Sequence, residues 1–141
     1  MMKKSLLFIL LILFVLSACA SQTPAETIAG ASVSVDGGSY LSVTSSELNT
    51  MLANKDFVFV NVHIPFAGNI AGTDLSIAYD QLEQNLTKLP TDKNTKIVLY
   101  CRSGHMSELA AETLVKLGYT NLWNLDGGMV AWEQAGYEIL K

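Results

Sequence analysis

Residues 101–107 read Cys101-Arg102-Ser103-Gly104-His105-Met106-Ser107, a nucleophile followed at once by a cation and then by small and polar residues. Upstream, Lys96 to Tyr100 is a short apolar, β-rich run, and downstream Ser107 to Leu117 carries apolar residues at helical spacing. The spacing predicts strand, loop and helix, with Cys101 at the strand's carboxyl end, where open α/β sheets bind their ligands. A loop that curls into a helix aims several backbone N–H groups at its own centre, and the helix N-terminus adds partial positive charge. An anionic sulfur on Cys101, thiolate or persulfide, suits such a cradle, with Arg102 as a nearby full charge and Gly104 free to make the curl.

The elements that must position this loop alternate along the chain. Tyr40 to Val43 is expected as a strand and Ser45 to Asn54 as a helix, with Thr44 and Glu47 at capping-box spacing. Phe57 to Val62 is almost continuously apolar, as in a strand covered on both faces. Helices over 79–86, 107–117 (closed by Gly118) and 129–135, with strands over 96–100 and 121–125, complete the alternation. The fold class is therefore α/β, a central and mostly parallel sheet flanked by helices. Leu109, Leu114, Leu117 and Trp132 are expected in the core, whereas Trp123 is open between core and ligand contact. Asp126 should shape the turn before Gly127-Gly128.

Three ordered blocks resemble one family. The loop Cys101 to Met106 looks like the active-site loop of single-domain rhodaneses, the thiosulfate sulfurtransferases. Gly118-Tyr119 followed by Leu122 to Trp132 is similar to that family's closing strand, double glycine and tryptophan-bearing helix. Phe59 to His63, then Ile70 to Thr73, resembles its first core strand and the loop after it. The resemblance spans about residues 40–141. It implies that Cys101 attacks the outer sulfur of thiosulfate or a persulfide donor and passes that sulfur to a thiophilic acceptor, cyanide or a thiol, without metal or organic cofactor. It also implies that Arg102, Ser103, Gly104, His105, Met106 and Ser107 form the substrate-binding loop. Many rhodaneses have Asp and Arg where this chain has Asn61 and His63, so a charge pair beside the site is absent. Met106 stands where the family often has a polar or basic residue, which favours a less charged sulfur donor.

Two rivals share the fold. A rhodanese-fold phosphatase needs a longer loop ending in an arginine that grips phosphate oxygens, and Ser107 stands at that place. A non-enzymatic binding module has no need of Cys101 and Arg102. His105 is open between donating to a bound sulfur group and facing solvent. His63 reads first as an ordinary strand-end residue and second as a neighbour of the pocket. The two histidines and Cys101 lack close metal-ligand spacing, so no metal is expected.

The N-terminus predicts location. Lys3 and Lys4 precede eleven apolar residues, Leu6 to Leu16, and then Leu16-Ser17-Ala18-Cys19. The run is shorter than the ~20 residues of a spanning helix and has the layout of a signal peptide, residues 1–18. Leu-Ser-Ala-Cys resembles the bacterial lipobox, which implies lipidation of Cys19 and a protein anchored to a membrane on the extracytoplasmic side of the bacterial cell envelope. Residues 19–39, rich in Ser, Ala, Thr and Gly, are expected as a flexible tether, and residues 40–141 as one domain. Residues 1–18 hold two lysines and no acid, so the remainder carries 7 basic and 13 acidic side chains, a net charge of −6. That balance offers no basic patch for nucleic acid.

Overall fold

The computed structural model describes residues 27–141. The expected signal peptide, the Cys19 lipidation site and the first part of the expected tether lie outside the described residues. Among the described residues, no helix is long and apolar enough to cross a membrane.

Six strands form the main sheet: β1 (Ala31–Val35), β2 (Gly38–Val43), β3 (Val58–Asn61), β5 (Leu75–Ser76), β6 (Ile97–Tyr100) and β7 (Leu122–Leu125), in the order β1-β2-β7-β6-β3-β5. Only the β1–β2 pair is antiparallel; every other pairing is parallel. The helices are α1 (Ser45–Ala53), α2 (His105–Lys116) and α3 (Gly128–Gln134). A small second sheet pairs β4 (Asn69–Ile70) with β8 (Ile139–Leu140).

β6 lies between β7 and β3, and all four of its residues are buried. The period-2 alternation of a strand divides it between two cores. Ile97 and Leu99 pack with Cys101, Ala110, Ala111 and Leu114 on the α2 face, whereas Val98 and Tyr100 pack with Leu48, Phe59, Leu125 and Trp132 on the other. Trp123 belongs to this second core, with the Lys96 ammonium 4.9 Å from its ring centre. The α1 capping box forms as the spacing predicts: the Thr44 N–H donates to Glu47 Oε2 (2.8 Å) and the Glu47 N–H to Thr44 Oγ1 (3.3 Å).

Three expectations need correction. Residues 31–39, assigned to the tether, form β1 and the start of β2. Val33 and Val35 alternate with serines, and Asp36-Gly37 makes the two-residue hairpin turn that places Val35 opposite Gly38. The segment 79–86 is no α-helix but two 3₁₀ turns, Tyr79–Gln81 and Glu83–Lys88, with Asn85 out of helical geometry. The Asn85 amide donates to the Gln81 carbonyl, which competes with regular helix. Leu109 is exposed, because the buried stripe of α2 runs through Ser107, Ala110, Ala111, Leu114 and Val115 and leaves Leu109 off its edge.

Candidate active site

Cys101 directly follows β6 and is a free cysteine, only 1% exposed. The Gly104 N–H donates to its Sγ across 3.0 Å, and the Ser107 hydroxyl lies 3.5 Å from the same sulfur. Ser107 is fully buried and donates over a shorter distance, 2.8 Å, to the Gly104 carbonyl, so it closes the loop while facing the sulfur. Gly104 has φ +104° and precedes the first residue of α2. That backbone conformation turns its N–H inward, at a position where an L side chain is strained. α2 begins at His105, two residues before the expected start, so the Gly104 N–H that meets the sulfur stands at the N-cap of the helix.

The loop is clamped from the other side by α3. The Met129 N–H donates to the Cys101 carbonyl and the Val130 N–H to the Arg102 carbonyl, both at 2.9 Å. This approach needs glycine at position 128. A Cβ there would stand 2.8 Å from the Arg102 carbonyl carbon and closer still to the Cys101 carbonyl oxygen. Gly128 thus sets the distance between the α3 N-terminus and the Cys101 backbone.

The remaining loop residues divide. Arg102, Ser103 and His105 are exposed, and the side chains of all three lack hydrogen bonds to the described residues. Met106 is half-buried and packs on the α2-side core, so its side chain belongs to the packing of α2. Asp126 is exposed, and its N–H ties the end of β7 to the Val43 carbonyl.

His63 joins the site. Its Nδ1 is buried without a hydrogen-bond partner. Burial, and secondarily the Arg102 charge, hold its imidazole below the ordinary histidine range, so the neutral ring is favoured. Asn61, in the place of the family's aspartate, is buried and holds the turn before β4: its amide donates to the Gly68 carbonyl and to Asn69 Oδ1, both at 2.9 Å, while its Oδ1 accepts the His63 N–H at 3.0 Å. The Tyr100 hydroxyl joins the network, 2.7 Å from Thr73 Oγ1, and accepts the Ile70 N–H at 3.1 Å. Tyr100 was legible only as a strand residue; a hydroxylated aromatic ending an otherwise aliphatic run was the available signal. Beside Arg102 a cavity of about 260 Å³ is lined by Ala67, Met129, Glu133, Ile139 and Lys141. The sequence pattern gave no sign of it, since its walls come from four separate segments.

Comparison with known proteins agrees with this geometry. Residues 47–135 match the rhodanese-like domain. A sulfurtransferase of Allochromatium vinosum is 30% identical over 101 residues, covering 70% of this chain and 92% of that protein. The rhodanese-like domain protein of Staphylococcus aureus is 31% identical in sequence and superposes with a TM-score of 0.59 over 71% of this chain and 98% of its own. The tRNA uridine(34) hydroxylase of Erwinia tasmaniensis is 29% identical over 109 residues, and the matched part spans 31% of its length against 73% of this chain. The Cys101 loop, the helix behind it and the glycine-dependent clamp all fall within the matched residues: this chain belongs to the rhodanese-like domain family.

Proposed function

We propose that the protein is a rhodanese-type sulfurtransferase that carries a sulfane sulfur on Cys101. The supporting observation is the sulfur itself, held at the focus of the loop by the Gly104 N–H and faced by Ser107 at the start of α2. The Cys101 thiolate attacks the outer sulfur of thiosulfate or of a persulfide. A bond forms between Sγ and that sulfur, the donor's S–S bond breaks, and sulfite or a thiolate leaves with the electron pair. An acceptor thiolate or cyanide then attacks the outer sulfur of the Cys101 persulfide and releases Cys101 as thiolate. Each hydrogen bond from a loop N–H to charged sulfur contributes ~1.5–3 kcal/mol. Arg102, exposed at the mouth, draws the anionic donor against the chain's net negative charge.

Incubation of the full-length chain with thiosulfate should add about 32 Da, one sulfur atom, at Cys101, removable by cyanide and absent in Cys101→Ser. No gain from thiosulfate, polysulfide or a persulfide donor would refute the assignment. Phosphatase chemistry is disfavoured by Ser107, a buried hydroxyl already engaged with Gly104, where a planar cation would have to grip phosphate.

The same proposal places the protein on the extracytoplasmic face of a bacterial membrane through lipid on Cys19, after removal of residues 1–18. Several acyl chains on one cysteine hold firmly where a single chain does not. Metabolic labelling with a radioactive fatty acid should mark the wild-type chain and not Cys19→Ala. Label persisting in that variant would refute the anchor.

A further inference from the structure

Glu108 stands at the loop that holds the sulfur. It is half-buried, its N–H donates to the Gly104 carbonyl at 3.0 Å, and its Oε1 is 3.8 Å from the point a Cβ on Gly104 would occupy. The same glycine gives its own N–H to Cys101 Sγ at 3.0 Å. The Gly127 nitrogen is 3.5 Å from that Cβ position, so Asp126, the residue before it, borders the loop as well. Glu133 and Lys141 border the cavity beside Arg102. The ion pairs among the described residues join Lys55 to Asp74, Lys96 to Asp56 and Lys116 to Asp36, so none of these charges near the loop is neutralised by a partner. Carboxylates at 108, 126 and 133 thus stand against cations at 102 and 141. His63 adds no further cation. The Val62 N–H donates to the Tyr100 carbonyl at 2.9 Å, which carries the β3–β6 register on and sets His63 alongside Arg102, where burial and that charge keep the imidazole neutral. Met106 turns into the packing of α2, so the charge preference expected from it falls to these groups. Of them, Glu108 has the most direct effect. α2 begins at His105, and a carboxylate in the first turn offsets the partial positive charge that the helix end lends to a bound anion.

We propose that Glu108 is a specificity-determining residue, which makes the loop select sulfur donors carrying one negative charge, such as an organic thiosulfonate, over dianions such as thiosulfate. The inference rests on the sulfurtransferase reading and deepens it by naming the donor class. Coulomb energy is proportional to the charge of the ligand, so a repulsion that weakens a monoanion about two-fold weakens a dianion in the same place about four-fold. Arg102 and Lys141 favour the dianion by the same rule, and the three carboxylates outnumber them. The chemical step is alike for both donors. The Cys101 thiolate bonds to the outer sulfur, the donor's S–S bond breaks, and the electron pair leaves with sulfinate from a thiosulfonate or with sulfite from thiosulfate. No oxidant or reductant is consumed.

The test uses the full-length chain in detergent at about pH 8, above the ordinary histidine range. Ionic strength is held constant, because salt screens exposed charges over ~8 Å under physiological conditions. Sulfur loading of Cys101, read by mass, should half-saturate at a lower concentration of methanethiosulfonate than of thiosulfate. Glu108→Gln should lower the half-saturating concentration about four-fold for thiosulfate and about two-fold for methanethiosulfonate, with the maximal rates little changed. Asp36→Asn removes the same charge at the β1–β2 turn, at the end of the sheet opposite Cys101, and should leave the ratio of the two concentrations as it is. Sulfate and methanesulfonate, which have no sulfur to give, supply a readout without transfer. Methanesulfonate should protect Cys101 from iodoacetamide at the lower concentration, and Glu108→Gln should narrow the gap. A wild-type preference for the dianions, or a ratio that Glu108→Gln moves no further than Asp36→Asn does, would overturn the proposal. Failure of Cys101 to load from either donor refutes the sulfurtransferase reading instead, and the protection experiment still decides the charge selection.

Discussion

Gly128 lies against the carbonyl of Cys101 so closely that no side chain fits between them, and the α3 amides bond to the Cys101 and Arg102 carbonyls through that gap. Gly128→Ala should therefore cost ~3 kcal/mol, from overpacking against backbone and a positive φ, and slow sulfur loading at least ten-fold. Gly136→Ala is the control. It shares the positive φ but meets nothing within 4 Å, so only the backbone strain remains. Urea denaturation of both variants separates the two contributions. Equal losses at the two positions would show that the close approach does not matter.

Ser107 faces both the sulfur and the Gly104 carbonyl. Ser107→Ala removes one buried hydroxyl and leaves that carbonyl without its side-chain partner, at an expected cost of ~1 kcal/mol in stability. The loop then loses a brace next to the sulfur, so loading by thiosulfate should fall several-fold while the amount of sulfur taken up at saturation is kept. Stopped-flow loading followed by mass measurement checks both. Unchanged kinetics would reduce Ser107 to a purely structural residue.

Much of this site was legible because it obeys local rules. The apolar run of β6, the polar loop and the α2 pattern locate Cys101, and Thr44 with Glu47 locates the start of α1. The β1 hairpin was missed for a compositional reason: Ser, Gly, Ala and Thr dominate residues 27–39 and suggest a tether. Yet Val33 and Val35 alternate with serines up to Asp36-Gly37, which is a hairpin signal. The correction matters in practice, since a cut at Ser39 would remove β1 and expose β2 as an edge. The 3₁₀ turns over 79–88 were not legible, because buried Leu82 and Leu89 are placed by packing that local spacing does not encode. Leu109 shows the converse: its type suggested the core, and the α2 stripe decided otherwise.

Asn61 is suited to its place by its two donated hydrogen bonds. In Asn61→Asp the carboxylate would face two acceptors, Gly68 O and Asn69 Oδ1, where the amide now donates. In this buried position the expected loss is ~2–4 kcal/mol, read as a lower denaturation midpoint. Adding His63→Arg supplies the cation that many relatives carry and should recover part of it. A stable single variant, or a double variant no better than the single, would show that Asn61 is not specified by these acceptors.

The Arg102 charge acts on the His63 imidazole, and the coupling has a sign. Burial first, and the Arg102 charge second, place the His63 pKa below its ordinary 6.5. The unfolded chain therefore binds a proton more readily than the folded one. The stability linked to His63 is full above pH 6.5 and declines as pH falls from there toward the folded value. NMR titration can follow it directly, because His105 is the other of only two histidines and His105→Gln assigns the signals. His63 should titrate below 6.5. Arg102→Ala should move it upward without restoring 6.5, since burial remains. His63→Gln should flatten the pH dependence of stability just below 6.5 while leaving Cys101 able to load sulfur. A His63 signal titrating at or above 6.5, or one indifferent to Arg102→Ala, would break the link between these two residues.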